Sequence, residues 1–482
     1  MASVTVLGAS SQVIKLKYDT QETIALARQV AGMITSGVQS GAIIPATDKD
    51  GPPPTVPAGK HGEFVQTKSG TVMLPHGYTA LVETAKTAIV FGSDNAGQMI
   101  LAGTATDLTY FGSAGGAGTV VAGGDHNRIV IPGSDNGDWL ISTGNGDDII
   151  QALGGGQNTI NGGGGHNAIS LGSGDTLIEA SGDDTISVGG GRTTIDASSA
   201  SSTKVFGGGS TLLFVGGEGG ATIYGGSGST TYYGGMSGGS SGSSHDRHDH
   251  HQDSRDDEHR FNGRHGRHHG NDDDDHHQRD WKSDDNSHDD KSHDDKSHGD
   301  KSDEDKSGGG NVQIVHGGSA GENYLFAGDG AATLFGGGSG DQLFTYGGYS
   351  QTLIGSVGAS TLSGAFGWGN DTFISGAGDD SIIGGTGKDL FVGGRGNDTV
   401  FATDGGRDIF QFIRGQAGGS ELVQNIYDSS DVRIQLTNYG KNEAKHALAS
   451  QTTNGSSVSI ALSDGTQVTF ENITQLTAKN FI

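Results

Sequence analysis

The sequence has no cysteine and only 7 prolines among its 482 residues. Disulfides and thiolate chemistry are therefore excluded, and so are proline-rich architectures. No apolar run approaches the ~18 residues of a transmembrane helix, so no membrane span is predicted. Basic side chains are also few, because 29 Lys and Arg stand against 56 Asp and Glu, for a formal net charge of −27. This charge repels nucleic acid and attracts cations, so we expect cations as partners and no nucleic acid.

Glycine, by contrast, is abundant, with 89 residues. It does not recur at every third position, which excludes a collagen helix. From residue 92 to 236, glycine-rich turns alternate with short β-branched or aliphatic runs. A polar residue followed two places later by an apolar one recurs about every nine residues, as in Asp148/Ile150 and Asp184/Ile186. This period predicts short strands stacked in a solenoid.

The same period returns after residue 311 and becomes regular between residues 367 and 401. There the sequence reads GWGNDTFI, SGAGDDSII, GGTGKDLFV and GGRGNDTVF. Four aspartates of these strings and one after them recur at intervals of nine or ten residues: Asp371, Asp380, Asp389, Asp398 and Asp408. Each is followed two residues later by an apolar side chain, as in a strand with one face in a core.

These glycines and aspartates are candidate ligands for a hard cation. Glycine permits turns that bring carbonyl oxygens together, and each Asp adds a carboxylate to that set of oxygens. Calcium takes six to eight oxygen ligands at ~2.3–2.6 Å, which one turn cannot supply, so turns must stack. The alternative is a metal-free solenoid whose aspartates cap turns. The candidate ligands are Asp371, Gly376, Gly378, Asp380, Gly385, Gly387, Asp389, Gly394, Gly396, Asp398 and Asp408.

These four segments resemble the RTX nonapeptide GGxGxDxUx, a calcium-binding β-roll repeat. The resemblance implies two nonamers per coil, so that turns 18 residues apart share an ion. The implied pairs, which indicate about three calcium sites, are Asp371 with Asp389, Asp380 with Asp398, and Asp389 with Asp408. It also implies that Phe373 stacks on Phe391 and Ile382 on Val400.

In the first block, Asp148 and Asp184 are further candidate calcium ligands. The residues that correspond to them elsewhere in this block are often neutral, as Asn158 and Asn167 are. For this block a calcium-binding solenoid and a metal-free solenoid both stay open.

Three other segments lack the repeat. Residues 1–91 contain an apolar helical face that stops at Gly37, with Asp19 and Glu22 at capping-box spacing, which predicts a small α+β cap or docking module. Residues 237–310 are Gly/Ser-rich and then His/Asp-rich, which predicts a disordered linker with at most weak transition-metal binding. Residues 413–482 predict a β-rich module with a hairpin around Asp464-Gly465 in a type I′ turn.

The predicted fold is all-β. It is a parallel β-roll or β-solenoid in two blocks, 92–236 and 311–412, between the two terminal modules. Residues 1–17 lack the features of a Sec signal, and the resemblance implies type I secretion with a C-terminal signal. We therefore predict a secreted, extracellular or cell-surface protein with a structural, matrix or adhesive role and polysaccharide or matrix as candidate partners.

No enzyme motif carries weight. HExxH is absent, and the GGSSG string at residues 238–242 matches GxSxG only formally, because no strand precedes it and no helix follows. We predict that the protein is not an enzyme. The alternative is a secreted enzyme or toxin-like RTX protein with its activity in residues 1–91.

Overall fold

A computed structural model describes residues 1–113, 116–133, 137–236, 312–403 and 407–482. The predicted linker 237–310 lies outside these ranges. Within them the chain has two α-helices, α1 (Gln21–Ser40) and α2 (Glu443–Ala449), and three short 3₁₀-helices at Ala9–Ser11, Ser429–Asp431 and Ala478–Asn480. None of these described helices meets the length and apolarity that a membrane span requires. The remaining regular structure is β, which confirms the predicted all-β class.

Most strands belong to a parallel solenoid in which each coil contributes one strand to each of two sheets. The first sheet contains β3 (Ile43–Thr47), β4 (His61–Gln66), β6 (Tyr78–Glu83), β8 (Gln98–Ala102), β10 (Gly118–Ala122), β12 (Trp139–Thr143), β14 (Gln157–Asn161), β16 (Asp175–Glu179), β18 (Arg192–Ala197), β20 (Thr211–Gly216), β22 (Thr230–Tyr233), β24 (Tyr324–Phe326), β26 (Asp341–Phe344), β28 (Ser360–Ser363), β30 (Ser381–Ile383), β32 (Arg395–Phe401) and β34 (Gly418–Gln424). The second sheet contains β5 (Gly70–Met73), β7 (Thr87–Phe91), β9 (Asp107–Phe111), β11 (Arg128–Ile131), β13 (Ile149–Ala152), β15 (Ala168–Leu171), β17 (Asp183–Val188), β19 (Ser202–Gly207), β21 (Gly220–Tyr224), β23 (Gln313–His316), β25 (Ala332–Phe335), β27 (Thr352–Ile354), β29 (Thr372–Ile374), β31 (Leu390–Val392), β33 (Ile409–Ile413) and β35 (Arg433–Thr437).

The solenoid interior is built from stacks of identical or similar side chains. Alternate residues of a strand point to opposite faces, so each short strand directs one or two apolar residues inward. Phe373, Phe391 and Phe410 are register partners in the second sheet, and their rings stack with centroids 5.3 and 5.4 Å apart. Ile382 stacks on Val400 in the same way in the first sheet. Both stacks expected from the RTX resemblance are therefore present.

The two predicted blocks form one continuous pair of sheets. β21 pairs with β23, and β22 pairs with β24, although residues 237–310 lie between them in sequence. The described residues before and after the linker accordingly belong to one compact unit. The division into two blocks is thus a feature of the sequence alone, because hydrogen bonding along the solenoid continues across the insertion.

An outward-facing aromatic ladder crosses this junction. The rings of Phe206, Tyr224, His316 and Phe335 stack with centroids 5.4, 5.2 and 4.2 Å apart and interplanar angles of 8° to 9°. Lys204 places its Nζ 5.1 Å from the centroid of Phe206. Stacked rings on adjacent strands stabilise their pairing, so this ladder joins the coils before the insertion to those after it.

The N-terminal module covers the outer surface of the first coils. β1 (Ala2–Leu7) and β2 (Val13–Tyr18) form an antiparallel hairpin, and α1 follows. α1 has 20 residues and is therefore ~30 Å long, which is enough to cross about six strands spaced ~4.8 Å apart. Its contacts extend from β3 to β12. The apolar side chains that pack together between helix and sheet are Ile24, Ala27, Val30, Ala31, Ile34, Val65, Ala80, Val82, Leu101 and Val121.

The solenoid begins earlier than the sequence indicates. The predicted module of residues 1–91 includes β3 to β7, which already pair within the two sheets. β4 and β6 are buried almost throughout because α1 covers their outer face. Strands buried on both faces lose the alternation of polar and apolar residues, so the repeat is hidden there.

The ends of α1 also differ from the prediction. Thr20, and not Asp19, is the N-cap, and the helix continues past Gly37 to end at Gly41, whose φ is 69°. Gly37 lies inside the helix, at a position where a Cβ would be only 2.5 Å from the Ile43 side chain. Close packing, and not helix termination, explains this glycine.

The C-terminal module extends the first sheet. β36 (Thr452–Asn454), β37 (Ser457–Ala461) and β38 (Gln467–Phe470) are antiparallel neighbours, and β38 pairs with β34. The predicted hairpin is present, but its turn is not type I′, because Gly465 has a positive φ and Asp464 does not. The predicted boundary at residue 413 falls inside the solenoid, since β34 and β35 are still parallel strands.

Two buried glutamates lie in the first coils. Glu63 and Glu83 are 0% exposed, and both oxygens of Glu63 and Oε2 of Glu83 lack a hydrogen-bond partner. Burial raises the pKa of each carboxyl to about 8, and nearby Asp48 adds to the effect at Glu83. Oε1 of Gln66, the residue in register with Glu83 on the neighbouring strand, also lacks a hydrogen-bond partner. Each glutamate is therefore mostly an uncharged acid at pH 7.

These glutamates predict that stability falls as pH rises. The unfolded chain loses their protons near pH 4.5, whereas the folded chain holds them to about pH 8, so their contribution is complete below 4.5 and is lost as pH passes 8. The double variant Glu63→Gln/Glu83→Gln should remove this fall, which amounts to about 4 kcal/mol for each carboxyl between pH 5 and pH 8. Urea unfolding at about pH 5, 7 and 9 in saturating calcium measures it. An unchanged pH slope in the variant would assign the effect to other groups.

Candidate metal centre

Two rows of polar side chains line the turns that lead into the C-terminal strands. Each member lies two residues before a buried apolar residue, so its side chain points to the same, inner face of the strand. Each is at most 6% exposed. The first-sheet row contains Asp341, Ser360, Asp380 and Asp398. The second-sheet row contains Gln351, Asp371, Asp389 and Asp408.

Each row is a ladder of hydrogen bonds between coils. The backbone N–H of Asp371 donates to Oδ1 of Asp389 at 2.8 Å, and that of Asp389 donates to Oδ1 of Asp408 at 2.9 Å. In the first-sheet row, Asp380 N–H donates to Oδ1 of Asp398 at 2.9 Å. The three predicted pairs are therefore in direct contact. The Oδ1 atoms cap backbone N–H groups, as the hypothesis of a metal-free solenoid predicts.

The second carboxylate oxygen, Oδ2, does not cap the backbone in most of these aspartates. Oδ2 is buried and without a hydrogen-bond partner in Asp371, Asp380 and Asp398, while Oδ2 of Asp389 accepts from Gly385 N–H at 3.0 Å. Among the described residues, no Lys, Arg or His forms an ion pair with these four aspartates. A buried carboxylate oxygen without a partner is costly, and a bound cation would remove that cost.

The pKa values of these carboxyls reflect their surroundings. Burial raises the pKa of Asp371 to about 6 and those of Asp380 and Asp408 to about 7, and it also raises the pKa of Asp389 and Asp398. The carboxylate of Asp398 raises the pKa of Asp380 further. Without a cation the rows are thus only partly ionised at pH 7, and cation binding must displace protons.

The turn glycines bring successive coils into close contact. A Cβ on any of the six predicted positions would come within 3.0 Å of a backbone atom of the preceding coil: Gly376, Gly378, Gly385, Gly387, Gly394 and Gly396. Gly396 also has a φ of 130°, which other residues rarely adopt. The unpaired Oδ2 of Asp371 points toward such a turn, because it lies 2.8 Å from the Cβ position of Gly367.

Side-chain acids alone do not form a complete cage. Within the described ranges, no group of three or more His, Asp or Glu side chains is placed to hold a metal ion by itself. Calcium requires six to eight oxygens, so carbonyl oxygens of the glycine turns would have to complete its coordination. Unpaired buried carboxylates beside closely stacked turns fit that requirement.

Amide side chains take the place of the acids in other coils. In the second-sheet row, Nε2 of Gln351 donates to the carbonyl oxygens of Gly328, Gly330 and Tyr346 at 2.9, 2.7 and 2.9 Å. These are turn carbonyls of the kind that a cation would use. The amide thus supplies donors to this turn where an aspartate would supply only acceptors.

The first block uses amides in the same way. Asp148 and Asp184 are buried, and Oδ2 of each is unpaired. Their neighbours in the row are Asn127 and Asn167, whose Nδ2 atoms donate to Oδ1 of Asp148 at 3.0 Å and of Asp184 at 2.8 Å. No two aspartates face each other in this row of the described residues, in contrast to the C-terminal rows.

Asp341 is a row member that the sequence analysis did not select as a ligand. Its Oδ1 accepts from Asn323 N–H and Nδ2 at 3.0 and 2.7 Å, and its Oδ2 accepts from Gly337 and Gly338 N–H at 2.8 and 3.0 Å. Both oxygens are satisfied without a cation. The signal that could have identified the position is the GGGSGD string at residues 336–341.

Comparison with known families finds four copies of the RTX calcium-binding nonapeptide repeat, at residues 317–351 and 367–400. The second range holds the four regular nonamers, and the first adds the segment that contains Asp341. Comparison with curated proteins finds no match. RTX repeats bind Ca²⁺, and the unpaired carboxylate oxygens of the rows fit such an ion. This chain is therefore a β-solenoid protein that carries RTX calcium-binding repeats.

Proposed function

We propose that calcium binds where two aspartates of adjacent coils face each other and that its binding folds the C-terminal coils. The observation that carries this proposal is the set of buried, unpaired Oδ2 atoms in Asp371, Asp380 and Asp398. The steps with facing carboxylates are Asp371/Asp389, Asp380/Asp398 and Asp389/Asp408, which gives three ions. Because these oxygens are scattered in the unfolded chain, calcium binding free energy becomes folding free energy.

Calcium binding at Asp148 and Asp184 is proposed as a weaker event. Each has one unpaired oxygen, but Asn127 and Asn167 already donate to their carboxylates. A site with one carboxylate and an amide donor has less negative charge to offer a divalent cation. The first block should therefore fold with little dependence on calcium.

The proposed setting is outside the cell. In this proposal, low intracellular calcium leaves the C-terminal coils unfolded for type I export, and higher extracellular calcium then folds them. The folded chain has a structural, matrix or adhesive role at the cell surface, with polysaccharide or matrix as partner, and no catalytic activity. The support is the RTX repeat itself, together with the acidic composition of the chain and the buried rows of aspartates in its C-terminal coils.

The test is a far-UV circular dichroism titration of the full chain from chelator to ~10 mM calcium, the range of extracellular calcium modules. We expect a cooperative gain of β signal with calcium and little gain with magnesium, which prefers a rigid octahedral site. A chain that is fully folded in chelator and unaffected by calcium would contradict the proposal. Retention of the chain on calcium-washed cell surfaces, compared with chelator-washed ones, tests the adhesive role separately.

A further inference from the structure

The first-sheet row of acids does not end at Asp398. β34 pairs with β32 so that Gly419 lies opposite Gly396, Glu421 opposite Asp398, and Val423 opposite Val400. The segment therefore repeats the order glycine, acid, apolar residue in register with the last nonamer. The acid is Glu instead of Asp, which removes it from the repeat consensus.

Glu421 is buried and incompletely partnered. Its side chain is 3% exposed, its carboxyl contacts the carboxyl of Asp398, and Oε1 has no hydrogen-bond partner. Oε1 lies 2.6 Å from the Cβ position of Gly393, the first glycine of the nonamer that contains Asp398. The unpaired oxygen is thus directed into the turn that precedes Asp398, as Oδ2 of Asp371 is directed toward Gly367.

The other charged groups at this position are all acids. Asp398 and Asp380, the preceding row members, each have an unpaired buried Oδ2. In the described ranges no cationic side chain is ion-paired with Glu421, Asp398 or Asp380. Three buried acids in consecutive coils, without a counter-charge, are unfavourable unless a cation or protons lie between them.

We propose that Glu421 is a calcium ligand, which together with Asp398 forms one more site at the C-terminal end of the first-sheet row. The inference rests on the proposed calcium function and adds a fourth ion to the three assigned to Asp–Asp steps. Glu421 supplies a carboxylate where the next nonamer would supply Asp, and the longer side chain directs Oε1 to the turn at Gly393.

The test counts calcium ions bound per full-length chain by equilibrium dialysis at pH 8. The variant is Glu421→Gln, which keeps the side-chain size. The matched control is Glu83→Gln, because Glu83 is also a buried glutamate of the first sheet with an unpaired oxygen but has no acid as register partner. We expect Glu421→Gln to bind one ion fewer than the wild type and Glu83→Gln to bind the same number.

Each outcome has a distinct meaning. Unchanged stoichiometry in Glu421→Gln would overturn the inference and indicate a proton shared between Glu421 and Asp398, while the proposed function would stand. A wild type that binds no calcium would instead remove the proposed function. If Glu421→Gln fails to fold, the wild-type count decides: four ions per chain support the inference, and three ions, one for each Asp–Asp step, overturn it.

Discussion

Replacement of Asp380, Asp389 and Asp398 by Asn is expected to abolish the calcium dependence of folding while leaving the C-terminal coils folded in chelator. Asn keeps the Oδ1 acceptor that each ladder N–H requires, and its Nδ2 can donate to turn carbonyls. The chain already contains this arrangement, because Gln351 donates to three turn carbonyls and Asn167 caps Asp148 N–H at 3.0 Å. Circular dichroism in chelator and in ~10 mM calcium measures the effect.

Replacement of the same three residues by Ala should have a different result. Ala removes the acceptor as well as the charge, so the ladder N–H groups of Ser360, Asp371 and Asp380 lose their partners. Each unsatisfied buried N–H costs about 1–3 kcal/mol, so the C-terminal coils should remain unfolded with or without calcium. The Asn and Ala variants together separate the capping role of the aspartates from their role as calcium ligands.

A matched control is Asp379→Asn in the same turn. Asp379 is exposed, and its Oδ1 accepts from Asn397 N–H at 2.7 Å. The substitution keeps this hydrogen bond and removes one negative charge outside the rows, so the calcium midpoint should change little. If Asp379→Asn shifted the calcium response as strongly as the triple Asn variant, general surface charge and not the buried rows would explain the response.

Replacement of Phe391 by Ala is expected to lower the free energy of unfolding by about 3–5 kcal/mol at saturating calcium. Phe391 is 2% exposed and lies between Phe373 and Phe410 in the interior stack. Its truncation leaves a cavity and removes two ring contacts at once, and the thin interior has few other apolar side chains with which to close the gap. Urea unfolding in calcium measures the loss.

Phe366→Ala is the control for that measurement. Phe366 belongs to the same coils but is 51% exposed, with rings of Phe326 and Phe344 at 5.6 and 6.3 Å. Its replacement should cost about 1 kcal/mol, because much of its surface is already in water. Equal losses for the two variants would show that the interior stack is not the main source of stability in these coils.

The repeats could be predicted from sequence because each coil is a local structure used again. Asp371, Asp380, Asp389 and Asp398 recur at intervals of nine residues, and that interval alone indicates which carboxylates meet one coil later. The apolar residue two positions after each Asp predicted the interior stack for the same reason. Periodicity is sufficient where every contact joins one repeat to the next.

The candidate site was less predictable where a single side chain departs from the consensus. Glu421 lies in register with Asp398, but its segment has lost the spacing of the nonamers, so the position becomes visible only through strand pairing. Gln351 lies in the aspartate row, but the sequence does not indicate that its amide reaches three carbonyl oxygens. Such roles depend on which oxygens a side chain meets in the next coil.

By itself the sequence determined the all-β class, the coil repeat, the acidic rows and the candidate calcium ligands. Only the tertiary structure decided where the solenoid begins, that its sheets continue across the insertion, and which carboxylate oxygens lack partners. The physical reason is the range of the contacts. A repeat in the sequence reflects contacts between neighbouring coils. The packing of α1 against the first sheet and the pairing of β21 with β23 instead bring together residues that are far apart in sequence, and no local pattern indicates that they are close.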